Sequence, residues 1–249
     1  MPPFQESGIN TYVSHFRLLI DVSAGFGAAY APSRTDLTIT ALETKLTAVR
    51  ASIDAVAAKL PAYLIAESVR IEEFYKLKPL AVRIRATAIN CNLPVAVVNQ
   101  IKEIVRKIQG RRARPIIPLE GEGDVATTHY ISVAQTSYDS QITHFRDLVA
   151  IVAGQTGYTP SATDIKVPAL QAQLERFIEF NDDVLAASVP LKDARQKRNE
   201  LLYEPGTGMI DTALAVKGYV KGTFGSRSAQ YREVSHIPFR NKKINLLTD

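Results

Sequence analysis

Residues 30–37 read Tyr-Ala-Pro-Ser-Arg-Thr-Asp-Leu, and residues 158–165 read Tyr-Thr-Pro-Ser-Ala-Thr-Asp-Ile. The echo reaches well beyond this octapeptide. Upstream, Ser14-His15-Phe16-Arg17 matches Thr143-His144-Phe145-Arg146, and downstream the run Arg70 to Tyr75 matches Arg198 to Tyr203. Leu80-Ala-Val-Arg83 then matches Leu214-Ala-Val-Lys217, and Gln100-Ile-Lys102-Glu103 matches Gln230-Tyr-Arg232-Glu233. The register shifts by one residue near position 25 and by six around 204–213, then slips back. Drift confined to such points is what a repeated unit shows when its loops vary and its packed elements do not. A side-chain type present in both copies therefore points to shared architecture before it points to a single active site.

Each copy carries four helical patterns. The first spans about 11–24 (Tyr12, Phe16, Leu19, Ile20), and its partner spans about 138–153 (Ile142, Phe145, Leu148, Val149, Val152). Gly25 and Gly27 end the one, Gly154 and Gly157 the other. The Tyr-Pro-Asp turn follows, where Ser33, Thr35, Asp36 and Ser161, Thr163, Asp164 are short polar residues suited to turn and cap hydrogen bonds. Next comes a long apolar stripe on a 4-3-4-3 rhythm: Leu42, Leu46, Val49, Ile53, Val56, Leu60, Tyr63 and then Phe74. Its counterpart is Leu170, Leu174, Phe177, Asn181, Val184, Ser188, Leu191, Arg195, Arg198 and Leu202. Such a stripe marks a helix packed on neighbours at shallow angles. Pro61 and Pro190 interrupt the two stripes at nearly matching places, but the phase survives them, which favours one kinked helix per copy over a turn. Shorter helices are predicted at 79–90 and 95–108, and again at 210–222 and about 227–236. Gly110 to Asp124, rich in glycine, proline and charge, reads as a linker. No stretch alternates apolar and polar residues long enough to demand a sheet.

The predicted class is thus all-α: a tandem duplication of a helical-bundle unit, each with one long kinked helix and three shorter ones. The two bundles are expected at 8–128, including the linker at about 110–124, and at 129–243, with a tail at 244–249.

The apolar fraction of 46% suits a chain that buries a core. Charged residues break every apolar run well before the ~20 residues of a membrane helix, so no membrane is expected. The opening residues Met1-Pro-Pro-Phe4 and onward show no secretory pattern. Cys91 is the single cysteine, which removes an internal disulfide and cysteine-based zinc sites and points to the cytoplasm. Net charge is +5, unevenly spread. From Lys76 to Arg114, ten basic residues (Lys76, Lys78, Arg83, Arg85, Lys102, Arg106, Lys107, Arg111, Arg112, Arg114) face one acid, Glu103.

Catalytic patterns are thin. Ser14 and His15 adjoin, but helix neighbours point about 100° apart and cannot form a nucleophile–base pair. No metal-binding spacing joins His15, His129, His144 and His236, and no metal is expected. Glu72-Glu73 and Asp182-Asp183 lack the Glu-x-x-His partners of a di-metal bundle and read as solvated faces. Arg70 and Arg198 sit two residues from Glu72 and Glu200, a spacing that separates them on a helix, so each is expected to pair with another helix. Gly121-Glu-Gly123 and Gly206-Thr-Gly208 lack the strand-to-helix setting of a nucleotide loop, so no cofactor is expected. Cys91 reads as an inert thiol.

In the second copy, Tyr158, Pro160 and Asp164, the run Arg195 to Tyr203, Lys217-Gly-Tyr219-Val220-Lys221, Phe224-Gly225 and Gln230-Tyr231 go together. Arg106-Lys-Ile-Gln-Gly-Arg-Arg112 adds to them from the first. In these the chain resembles a family of two-repeat helical proteins of Bacteroidetes. The resemblance implies the architecture and carries no activity. Gly218 and Gly222, inside a predicted helix, depart from it.

The expectation is a non-enzymatic structural or interaction protein, a scaffold or assembly component, with a protein partner or a second copy as its ligand. The alternative is binding of nucleic acid or another polyanion through segment 76–114 and the basic C-terminal segment. Its candidate residues are Lys102, Arg106, Lys107, Arg111, Arg112 and Arg114, with Arg232, Arg240, Lys242 and Lys243. Aromatic residues that could stack on bases are absent from the basic run after Tyr75.

Overall fold

The computed structural model describes residues 4–111 and 137–239, with side chains from Gly8 onward. Among these residues every regular element is helical. In chain order they are α1 (Phe4–Gly25), α2 (Ile39–Tyr75), α3 (Leu77–Asn90), α4 (Val95–Ile108), α5 (Tyr138–Ala153), α6 (Val167–Tyr203), α7 (Met209–Phe224) and α8 (Ala229–Ser235). The linker expected at about 110–124 falls almost wholly outside the described residues, as does the tail at 244–249.

Helices α2 and α6 are each 37 residues long and run unbroken through Pro61 and Pro190. Proline removes one backbone donor and so frees the carbonyl four residues earlier. Those carbonyls belong to Ala57 and Ala186, both at exposed positions where water can accept the role. Around Pro61 the buried stripe pauses, and no residue from 57 to 73 of α2 is fully buried, whereas Leu191 directly after Pro190 is buried.

The Tyr-Pro-Asp turn leads into each long helix and has the same anchor in both copies. Tyr30 Oη donates to the carbonyl of Leu37 at 2.8 Å, and Tyr158 Oη donates to the carbonyl of Ile165 at 3.1 Å. Both rings are buried, and burial pushes each phenol up to about 12. Each hydroxyl therefore stays a donor. The repeated octapeptide is a clamp that fixes the entry of a helix.

Two compact units divide the chain: Met1–Pro61 with Ser188–Asp249, and Ala62–Ala187. In the first, Phe16, Leu19 and Ile20 of α1 and Leu42, Leu46 and Val49 of α2 share a core with Leu202 of α6, Val216 and Val220 of α7, and Val234 of α8. In the second, Phe74 of α2, Leu77 and Ile84 of α3, and Ile101 and Val105 of α4 share a core with Phe145 and Leu148 of α5 and Leu170 and Phe177 of α6.

These units are divided differently from the expected bundles at 8–128 and 129–243: each draws on both of the sequence segments that echo one another. The reason is length. At 1.5 Å per residue a helix of 37 residues extends about 55 Å, whereas the 14-residue α3 and α4 extend about 21 Å. The short helices of one copy cannot cover the stripe of their own long helix from end to end. Its two ends are buried by different sets.

Helix α7 continues through Gly218 and Gly222 without interruption. Gly206 and Gly208 form the turn before it. Gly206 has φ +78°, and a Cβ on Gly208 would meet backbone atoms of Glu204 at 2.6 and 2.8 Å. Both glycines serve backbone geometry.

Candidate functional site

The basic segment was the candidate site, and much of its charge is already engaged. Lys76 pairs with Glu73 at 2.7 Å and Glu72 at 3.8 Å. Arg83 on α3 makes a two-pronged bond to Asp164 at 2.6 and 3.0 Å, which holds that carboxyl below the usual carboxylate range. Arg85 has a buried Nε with no partner among the described residues. Arg106 pairs with Glu103 at 2.8 Å and donates to the carbonyl of Arg111 at 2.9 Å, closing the end of α4. Lys102 lies one turn earlier on the same edge, exposed and 3.3 Å from Asn99 Oδ1. Lys107 projects from another side of α4.

Lys102, Arg106 and Arg111 therefore share one edge toward the C-terminal end of α4, and Lys107, in the same last turn as Arg106, faces another side. In the other unit, Arg232 donates to the carbonyl of Arg227 at 3.3 Å. Arg112, Arg114, Arg240, Lys242 and Lys243 lie outside the described residues, as does His129.

Beside Lys107 is an open cleft of about 700 Å³ between α4 and α5, lined by Ile104, Ala150 and Ile151 together with Asn99, Gln100, Glu103 and Asp147. His144, one turn before Asp147 on α5, is buried, and its Nε2 has no partner among the described residues. Burial pushes its imidazole below the ordinary histidine range; Lys107 adds to the shift and Asp147 opposes it. The matching His15 takes another role, with Nδ1 3.1 Å from the carbonyl of Pro238 and its ring edge-on to Phe239. Among the described residues no group of three His, Cys, Asp or Glu side chains is placed to hold a metal ion. Nor is any helix there long and apolar enough to cross a membrane. Cys91 is a half-buried free thiol packed against the core of the second unit.

Of the two arginines expected to pair across helices, Arg70 does reach other elements. Arg70 donates to Asn181 Oδ1 on α6 at 3.1 Å and lies 4.0 Å over the ring of Tyr138 on α5. Its cross-helix partner is an amide, where the sequence suggested an acid. Arg198 is buried and donates to its neighbour Asn199 at 3.1 and 3.3 Å.

Sequence reasoning missed one surface. On the C-terminal part of α2, Leu64, Ile71 and Tyr75 are 47%, 54% and 82% exposed. With Ser68 between them they follow a 4-3-4 rhythm and fall within an arc of about 60°. Ile65, at 64% exposure, widens the stripe. Apolar residues seven apart, off the phase of the buried stripe, were the available signal. By the repeat register the matching positions on α6 are Lys192, Asp193, Gln196, Asn199 and Tyr203. Where α6 places the polar Lys192, Gln196 and Asn199, and buries part of Tyr203 against the core, α2 presents an exposed seam of the kind that packs on another helix.

Comparison with known proteins returns nothing for this chain: no family model, no curated protein and no solved structure matches it.

Proposed function

We propose that this chain is a non-enzymatic scaffold or assembly protein, a tandem duplication of one helical unit with each long helix kinked at its proline. It would work in the cytoplasm, as its motifs and single cysteine suggest. The observation that carries the reading is the exposed seam of Leu64, Ile71 and Tyr75 on α2, set against the polar Lys192 and Asn199 that match Leu64 and Ile71 on α6. A helix with apolar residues at the same spacing is its natural ligand, with a basic flank facing exposed Glu72. The tyrosine clamps and core aromatics serve packing, which agrees with a role in shape. Light scattering across a concentration series, with a parallel capture of partners on immobilised chain, tests the reading. Leu64→Asp with Ile71→Asp should abolish self-association or partner capture while leaving the melting temperature nearly unchanged, because both side chains already face water. Association untouched by this pair of changes contradicts it.

A second reading, polyanion binding, is favoured by Lys102, Arg106 and Arg111 at one end of α4. Titration of duplex DNA at two salt concentrations separates the two. Binding that collapses with salt and weakens on Arg111→Ala with Arg112→Ala supports the polyanion.

A further inference from the structure

Both hydrophobic cores are assembled from residues on either side of the stretch 112–136. In the first unit the N-terminal half supplies α1 and the start of α2, and the C-terminal half supplies the end of α6 with α7 and α8. In the second unit the N-terminal half supplies the end of α2 with α3 and α4, and the C-terminal half supplies α5 and the start of α6.

We infer that the halves of this chain, residues 4–111 and 137–239, present to each other an interaction surface sufficient for them to associate as separate chains once the connection is cut.

Side-chain contacts within each unit carry the inference. Phe74 lies 4.8 Å, ring to ring, from both Tyr138 and Phe177. In the other unit Tyr30 stands edge-on to Tyr219 at 5.2 Å, and Phe26 meets Phe224 at 5.5 Å. Polar bonds join the halves too. Arg83 holds Asp164, Arg70 holds Asn181, the backbone N–H of Ala31 donates to Tyr219 Oη at 3.1 Å, and Lys45 donates to Thr212 Oγ1 at 3.0 Å. Neither half alone closes a core. The N-terminal half by itself would bare Phe16, Leu42 and Leu46 at one place and Phe74, Ile84 and Ile101 at another, all of them buried in the whole chain. Large exposed apolar faces of this kind seek a complementary surface, and each half holds the one that fits the other.

The test uses the full chain with a site-specific protease sequence inserted between Gly121 and Glu122, the uncut protein serving as the folded reference. After cutting, the halves should elute together with unchanged helical circular dichroism. The melting temperature of the cut protein should fall on dilution while that of the uncut protein does not, because melting has become bimolecular. Phe74→Ala should weaken the cut pair by about a hundredfold, and restoring the tether should recover a folded chain. Separation of the halves on cutting, whether folded or unfolded, overturns the inference. So does a cut protein whose melting ignores dilution.

Discussion

Arg70 and Asn181, 111 positions apart, are joined by a hydrogen bond of 3.1 Å from guanidinium Nη1 to amide Oδ1. The amide then passes the contact on, its Nδ2 donating to Asp139 Oδ1 at 3.0 Å. An amide both accepts and donates, so it can link a cation to a carboxylate that the cation does not itself touch. This explains a polar residue in an apolar stripe. In the first copy the matching position is Ile53, and in the second it is the buried Asn181.

Asn181→Leu should fit the space but leave Arg70, whose Nε already lacks a partner among the described residues, without its acceptor. The expected cost is about 2–3 kcal/mol, the range for stranding a buried charged donor. Urea unfolding should show a lowered midpoint with an unchanged slope. A stability equal to that of the original chain contradicts the assignment.

Tyr30→Phe and Tyr158→Phe each delete one hydroxyl and leave a backbone carbonyl without its donor. Each should cost about 1 kcal/mol. The turns share no partner, so the double variant should lose the sum to within about 0.5 kcal/mol. A loss at one tyrosine alone would mean that the repeated motif does different work in its two copies.

Glycines in and before α7 should respond in opposite directions. Gly218 and Gly222 have helical surroundings and nothing within 4 Å of an added Cβ, so alanine at either should stabilise by about 0.5–1 kcal/mol. Gly208→Ala should destabilise, because its Cβ would lie 2.6–2.9 Å from backbone atoms of Glu204 and Leu202. Thermal melting of the three variants reads all of this directly.

The imidazole of His144 is held below its ordinary range, chiefly by burial and then by Lys107, with Asp147 opposing. An unfolded chain therefore takes up this proton at a higher pH than the folded chain does. Stability from this group is complete above the usual histidine value of 6.5 and declines as pH falls through it, levelling off below the folded value. His144→Gln should remove that part of the decline that sets in as pH falls through 6.5. An identical pH profile for the variant would show that His144 takes its proton freely while folded.

Much of the fold was readable before any coordinates. The boundaries of α5 and α4 coincide with the predicted 138–153 and 95–108, since capping glycines and a clean apolar face coincide there. The stripe from Leu42 to Val56 and that from Leu170 to Val184 are buried almost as spaced. What periodicity could not supply was the identity of the neighbour. An apolar face at Phe16 or Phe145 says that something covers it, and only the length of α2 and α6 forces the cover to come from the other copy. The candidate site was legible as charge and illegible as geometry. Arg83 counted toward a basic patch because Asp164, its partner, lies 81 positions away. Leu64 and Ile71 escaped notice because a buried stripe on the same helix gave a sufficient reason for apolar residues.

The joint construction of each core is tested most directly by a double-mutant cycle on Phe74 and Phe177, whose rings are 4.8 Å apart and whose positions fall in different halves. Stabilities of Phe74→Leu, Phe177→Leu and the double variant are to be measured by urea unfolding. A coupling of about 1 kcal/mol is expected for rings in contact. Strict additivity, within about 0.3 kcal/mol, would mean that the two rings do not meet and that the halves do not share this core.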